Sequence, residues 1–476
     1  MTYLSKKGAA MFYFKILSKK LCSFLFLFTF FVGIRSEHSL EHPFLIDTIE
    51  ISQTELAKRK PIKSDWTFIV YLAADNDLDY FAYHNIKAMS KVGSNENISI
   101  VVQLDRYGAH QYTKRLYVTK EVVYQVNVDD SSSQQKLNFG SPQTLIDCCQ
   151  WAITQYPAHH YALVLWNHGT GILDSIPTKT TNASELFTFN PANHMLELDR
   201  SINFLDFLEH KNTDLISRGV CFSDTYGSYL TNQKLDYALK TVCEKILHKK
   251  FDIIAFDACL MAMVEVAHLI SPYTDYMAAS EEVELGTGYP YNLILAPFAT
   301  QTLTPYEFAQ QIVIGYAQGY EHVTKDFTQS AIDLSRIEAL EKNITKVSST
   351  LIEMIHHELD FSVKRSIKAS RAKRACTCFA EPTYIDLHHF YSNLFEAIDF
   401  MHLTDSHAYL KNHVKDLLQE GIKLITKAVI ANQTGANLQK AKGLAIYFPL
   451  RSIDGSYLQT TFAKNTSWVN LLKLVL

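Results

Sequence analysis

This 476-residue chain has no basic excess, no low-complexity tract, no internal repeat and no regular cysteine framework. Each absence excludes a class. A net charge of −4 without a dominant basic patch argues against a nucleic-acid partner. The 12% aromatic and 47% hydrophobic content argues against disorder. One of the eight cysteines, Cys22, lies in an N-terminal apolar stretch. The other seven (Cys148, Cys149, Cys221, Cys243, Cys259, Cys376, Cys378) follow neither disulfide-scaffold nor zinc-site spacing. Cys376-Thr377-Cys378 lacks the paired ligands a metal would need. An odd count leaves at least one thiol free. Long apolar runs are also scarce. LCSFLFLFTFFVGI (21–34) has 14 residues, short of the roughly 20 that a membrane helix needs.

That run follows Lys15, Lys19 and Lys20, which is the layout of an export signal over 1–36. Cleavage is expected near Ser36–Glu37, with an uncleaved anchor as the alternative and the only expected link to a membrane. The protein is therefore expected in the periplasm, at the cell surface or secreted. Residues 37–64 are polar and irregular and read as a linker or propeptide. From 65 to 300, buried strand runs alternate with helix patterns: TFIVYLAA (67–74), ISIVVQL (98–104), HYALVLW (160–166), RGVCFSD (218–224), FDIIAFD (251–257) and DYMAASEE (275–282). This alternation implies an α/β fold with a mainly parallel sheet and helices on both faces. From 301 to 476 the pattern is mostly helical, with one late strand, GLAIYFPL (443–450), returning to a sheet. The stretch 172–198 has no periodicity and is long for a loop inside a domain.

Two strand ends carry reactive groups. FDIIAFD runs into Ala258-Cys259, and HYALVLW runs into Asn167-His168-Gly169. Open α/β sheets bind ligands at the carboxyl ends of their strands. A thiol at one tip and an imidazole at the next can form a nucleophile with its acid/base partner. The pattern after Cys259 reads as a helix beginning at once, whose amides would lower the thiol pKa and hold an oxyanion. Gly169 allows close backbone approach, so its amide is a candidate oxyanion donor. A lone cysteine is more often a small buried hydrophobe; the matching histidine tip tilts the balance toward catalysis. Acidic clusters at Asp75, Asp77 and Asp79 and at Glu281, Glu282 and Glu284 offer oxygens for Ca2+. At Asp75–Asp79, helix capping is the plainer use.

IVYLAADNDLD (69–79), LVLWNHGTG (163–171), RGVCFSDT (218–225), FDACLMAMVEVAH (256–268), AASEEVELGTGYPY (278–291) and GLAIYFP (443–449) occur in an order that resembles the clostripain family of cysteine peptidases, within the caspase-like clan. The resemblance implies a caspase-like α/β/α sandwich and endopeptidase activity on proteins or peptides. It makes Cys259 the nucleophile and His168 the acid/base, with the amides of Gly169 and Cys259 as oxyanion donors, a chemistry that needs no cofactor; Ca2+ dependence is a family trait. It also implies cleavage after Arg or Lys, and self-processing between the two strands, at Lys179 or else Arg200. One segment departs from the family. Where an acid is expected the chain has Tyr289-Pro290-Tyr291, so charge for a basic side chain falls to Asp257, with Glu282 and Glu284 in reserve. The competing readings are an inactive binding protein on the same fold and a different thiol enzyme, an amidase or acyltransferase.

Overall fold

The computed structural model describes residues 48–59, 63–108, 111–120, 122–127, 135–174, 186–201, 219–357, 361–403 and 405–476. The strands up to the histidine tip are β1 (Thr48–Ser52), β2 (Trp66–Ala74), β3 (Ile98–Arg106), β4 (Lys114–Val118), β5 (Val123–Asn127) and β6 (His160–Trp166). Four short strands follow: β7 (Phe187–Asn190), β8 (Met195–Leu198), β9 (Val220–Ser223) and β10 (Ser228–Leu230). The last six are β11 (Phe251–Asp257), β12 (Thr274–Ala279), β13 (Thr328–Asp333), β14 (Tyr384–Asp386), β15 (Val429–Thr434) and β16 (Ala445–Tyr447).

Ten of these form one sheet in the order β1-β5-β4-β3-β2-β6-β11-β12-β13-β15. Its centre, β3-β2-β6-β11-β12, is parallel throughout. All nine residues of β2 and all seven of β11 are buried, as expected for strands covered on both faces. Side chains alternate between two cores. Ile69, Tyr71 and Ala73 face one, with Leu163, Leu165, Ile254 and Phe256. Phe68, Val70 and Leu72 face the other, with Val164, Trp166, Ile253 and Ala255. Helices Pro142–Gln155, Asn232–Val242, Val264–Ile270 and Ile337–His357 cover the first face; Asp79–Ser90 and Pro305–Tyr320 cover the second. Burying both faces is what turns these short apolar runs into a single layered unit.

Several expectations are corrected. Within the supposed linker, β1 pairs in parallel with β5 at the sheet edge, and helix Gln53–Arg59 follows; Ile51 and Leu56 are buried. A five-residue edge strand has too few apolar positions to stand out by pattern alone. Strands β13 and β15 both extend the central sheet, so the sheet does not break at residue 300. In the mostly helical C-terminal part, helix Tyr409–Ala428 gives way to a further strand, because Val429 onward pairs antiparallel with β13. The late strand 445–447 pairs with β14 in a separate two-stranded sheet. The aperiodic stretch contains the hairpin β7–β8, while 175–185 lies outside the described residues. Residues 1–47, including the signal, lie outside them too.

Candidate active site

Strands β6 and β11 are neighbours, with Leu165 opposite Phe256 and Trp166 opposite Asp257. Just beyond, the Asn167 amide donates to Asp257 O at 3.2 Å. His168 and Cys259 therefore leave adjacent strand ends together. Both line one cleft with about 420 Å3 of empty space, whose walls include Leu78, Trp166, Leu186, Asp257 and Glu284. Gly169 lies against the backbone carbonyl of Cys259. A Cβ there would lie 2.5 Å from Cys259 O and 3.0 Å from Ala258 Cβ, so only glycine lets the two tips close up.

The turn after Cys259 differs from expectation. No helix begins there. Leu260 adopts a left-handed φ of 65°, and Met263 bridges in parallel to Ala445 before the helix starts at Val264. A non-glycine residue in that region is strained and persists where the surroundings over-determine it. Here the loop after β12 does so. Leu260 N donates to Glu282 O at 3.1 Å, and Ala262 N donates to Ser280 O at 2.9 Å. The same loop holds the sulfur: Glu284 N–H donates to Cys259 Sγ at 3.2 Å, and the thiol points to Glu284 O at 3.8 Å. Burial pushes the Cys259 thiol well above its usual range, and the Glu284 amide only partly opposes it. Burial thus favours the neutral form of the Cys259 thiol, where the sequence pattern suggested a thiolate favoured by a following helix.

His168 is 8% exposed. Its Nε2 lies 2.7 Å from Asp77 Oδ1. Burial opposes the imidazolium, but Asp77, helped by Asp224, outweighs it and raises the His168 pKa.

The predicted substrate acids separate. Asp257 lines the cleft, and its Oδ2 accepts from Tyr289 N at 3.0 Å and Tyr291 OH at 2.7 Å. Burial raises it to about 7. Glu284 also lines the cleft, and burial beside the Asp257 charge holds it well above the ordinary carboxyl range. Glu282 is fully buried away from the cleft wall. It accepts from Val283 N and Ala380 N and pairs with Arg200 at 3.2 Å, so it is not placed to meet substrate. Arg200 is spent on Glu282 and on Asp326 at 3.1 Å. Lys179 lies outside the described residues. Pro290 packs against Gly319 of helix Pro305–Tyr320, while its neighbours Tyr289 and Tyr291 serve Asp257 from behind.

The carboxylates of the two acidic clusters have protein partners. Asp75 pairs with Lys136 at 3.2 Å, and Asp79 with Arg106 at 2.6 Å. Glu281 accepts from Gly443 N, Glu282 pairs with Arg200, and Glu284 lies beside Asp257. Among the described residues no group of three or more His, Cys, Asp or Glu side chains could hold a metal ion.

A family model of the clostripain family matches residues 70–207 and 206–473. The chain belongs to the clostripain family. Clostripain from Hathewaya histolytica is 21% identical over 271 residues, covering 52% of this chain and 44% of that protein, so the match spans under half the relative's length. The fold resembles an inactive zymogen C11 protease from Parabacteroides distasonis, at TM-score 0.54 and 19% identity, over 87% of this chain and 99% of that one. It also resembles a secreted C11 cysteine protease from Bacteroides thetaiotaomicron in complex with an irreversible peptide inhibitor, at TM-score 0.54 and 20% identity, over 86% and 100%. The layered α/β sheet of this clostripain-family chain is thus the caspase-like one expected.

Two features of the site escaped sequence reading: the loop 280–284 that cradles the thiol, and the contact between Asp77 and His168. Both join segments 25 or more residues apart. The DND turn itself was noticed, but nothing local distinguishes a capping aspartate from one that faces a histidine.

Proposed function

We propose that this clostripain-family chain is an exported cysteine endopeptidase with Cys259 as nucleophile and His168 as acid/base. The observation that carries this is the convergence of thiol and imidazole on one cleft from adjacent parallel strands. His168 takes the Sγ proton as sulfur attacks the scissile carbonyl carbon. The C–S bond forms, and the carbonyl oxygen becomes an oxyanion for which the Cys259 and Gly169 amides are the candidate donors. His168 then gives its proton to the leaving nitrogen as the C–N bond breaks. Water, deprotonated by His168, attacks the acyl-enzyme and releases the acid and the thiol. Because burial favours the neutral thiol, His168 acts as the base in the first step.

Asp257 and Glu284 give the cleft wall an acidic character suited to a Lys or Arg side chain, in place of the acid missing at Pro290. Self-processing is assigned to Lys179, since Arg200 is tied down by two acids. Export rests on the 1–36 signal and agrees with a relative described as secreted. No Ca2+ requirement enters these steps. The test is turnover of Lys and Arg peptides by purified wild type, Cys259→Ala and His168→Ala. The account expects loss of activity in Cys259→Ala and near loss in His168→Ala; wild-type turnover in Cys259→Ala would refute it.

A further inference from the structure

His168 and Asp77 sit on different strand ends, yet one device registers both. The residue before each is an asparagine, and the two asparagines bind the same pair of carbonyls. Asn76 Nδ2 donates to Ala73 O at 3.2 Å and Phe222 O at 3.1 Å. Asn167 Nδ2 donates to Ala73 O and, at 3.4 Å, to Phe222 O. Asn167 Oδ1 accepts in return from Phe222 N at 2.9 Å. The turn carrying Asp77 is closed on both sides. Asn76 Oδ1 accepts from Leu78 N at 3.0 Å, spanning Asp77. Asp75 is buried and accepts from Ser223 Oγ, Thr225 N and Thr225 Oγ1. Lys136 Nζ joins Asp75 to Asp105, and Asp79 forms a two-pronged pair with Arg106. A surface carboxylate that met a histidine by chance would not need so rigid a mounting.

We propose that Asp77 is the positioning residue of His168: it accepts the Nε2 proton, holds the ring in one tautomer, and leaves Nδ1 to exchange the proton with Cys259. This rests on the Cys259/His168 reading above. A carboxylate only accepts, so the 2.7 Å contact requires Nε2–H on the ring. The neutral imidazole then carries its basic lone pair on Nδ1. The same charge favours the imidazolium formed during attack, in the direction of the raised His168 pKa. Among the described residues, Asp77 from the turn after β2 and Asp224 from the turn after β9 act on the ring, and Cys259, Asp257 and Glu284 line the same cleft.

The experiment compares full-length wild type, Asp77→Ala, Asp77→Asn, Cys259→Ala and His168→Ala, measuring kcat, KM, thermal midpoint and the pH profile. Asp77→Ala should lower kcat by about 10–100-fold, the range for loss of a carboxylate that orients a metal-ligating histidine, with KM within about twofold. Asp77→Asn keeps an acceptor, so it should recover much of kcat. It removes the charge, so the His168-linked limb of the profile should move to lower pH. If Asp77→Ala unfolds, the Asp77→Asn pH profile alone decides. Asp77 variants with kcat and pH limb unchanged, beside inactive Cys259→Ala and His168→Ala, would overturn this inference alone. An active Cys259→Ala would overturn the dyad and, with it, this inference.

Discussion

Trp166 and Asp257 are register partners on adjacent parallel strands, and the two reactive residues lie two positions beyond them, at His168 and Cys259. Slipping this register by one residue would turn every side chain of one strand to the opposite face. The register is held by burial of both faces of β6 and β11, so the placement of His168 and Cys259 is a consequence of core packing.

Burial of the thiol gives a first prediction. A preformed thiolate–imidazolium pair would react with iodoacetamide at a rate that levels off at mildly acidic pH. Burial raises the Cys259 pKa, so its alkylation rate should keep climbing to at least about pH 9, the ordinary thiol range. Rates of Cys259 modification measured by peptide mapping would show this. A plateau below pH 7 would mean the thiolate is already formed.

Gly169→Ala tests the closeness of the two tips. The new methyl meets the Cys259 carbonyl oxygen at 2.5 Å, which is backbone and cannot swing aside. Displacing the tips by a fraction of an ångström to 1 Å should cut kcat by about 100-fold. A variant that folds and keeps wild-type kcat would show that the tips have slack.

Legibility in the sequence followed where burial lay. Runs such as TFIVYLAA and FDIIAFD are buried on both faces, so they read as parallel strands without help, and their polar ends marked the dyad. β1 and β15 were hidden because short edge strands gain their order from a partner, not from their own pattern. LMAMVEVAH has helical spacing from its first residue, yet Leu260–Met263 are taken up by contacts to the 280–284 loop and to Ala445. Glu282 and Glu284 are two residues apart in a conspicuous acidic run. Only the fold sends one to Arg200 and the other into the cleft.

The cleft acids predict a pH-dependent selectivity. Asp257 titrates near 7, above its ordinary value, so its charge is present only above that pH and is lost as pH falls. Glu284 beside it is raised too, by burial and by the Asp257 charge. The preference for Lys or Arg over a neutral isostere should therefore grow between pH 6 and 8. Asp257→Asn should cost about 1–3 kcal/mol, roughly 5–150-fold, in kcat/KM for basic substrates, while neutral ones change little. Equal losses for both substrate types would remove Asp257 from the specificity pocket.

Arg200 should behave as a structural tie and not as a cleavage point. Arg200→Ala leaves Glu282 and Asp326 buried without their cation. The loss of stability should be about 1–2 kcal/mol, below the value for a fully buried pair because Arg200 is one-third exposed. Processing seen on denaturing gels should survive this change and disappear in Lys179→Ala. A new N-terminus at Ser201 in the wild-type chain would contradict the assignment.

The most direct measurement is mass-spectrometric mapping of the adduct formed with an irreversible peptide electrophile ending in lysine. Seven cysteines are free in the described structure, and Cys378 is the least buried of them. A reagent reacting by exposure alone would mark Cys378, whereas one directed by the cleft should mark Cys259. The account predicts a single adduct on Cys259, absent in Cys259→Ala and strongly slowed in His168→Ala. Modification of any other cysteine at a comparable rate, with Cys259 untouched, would contradict it.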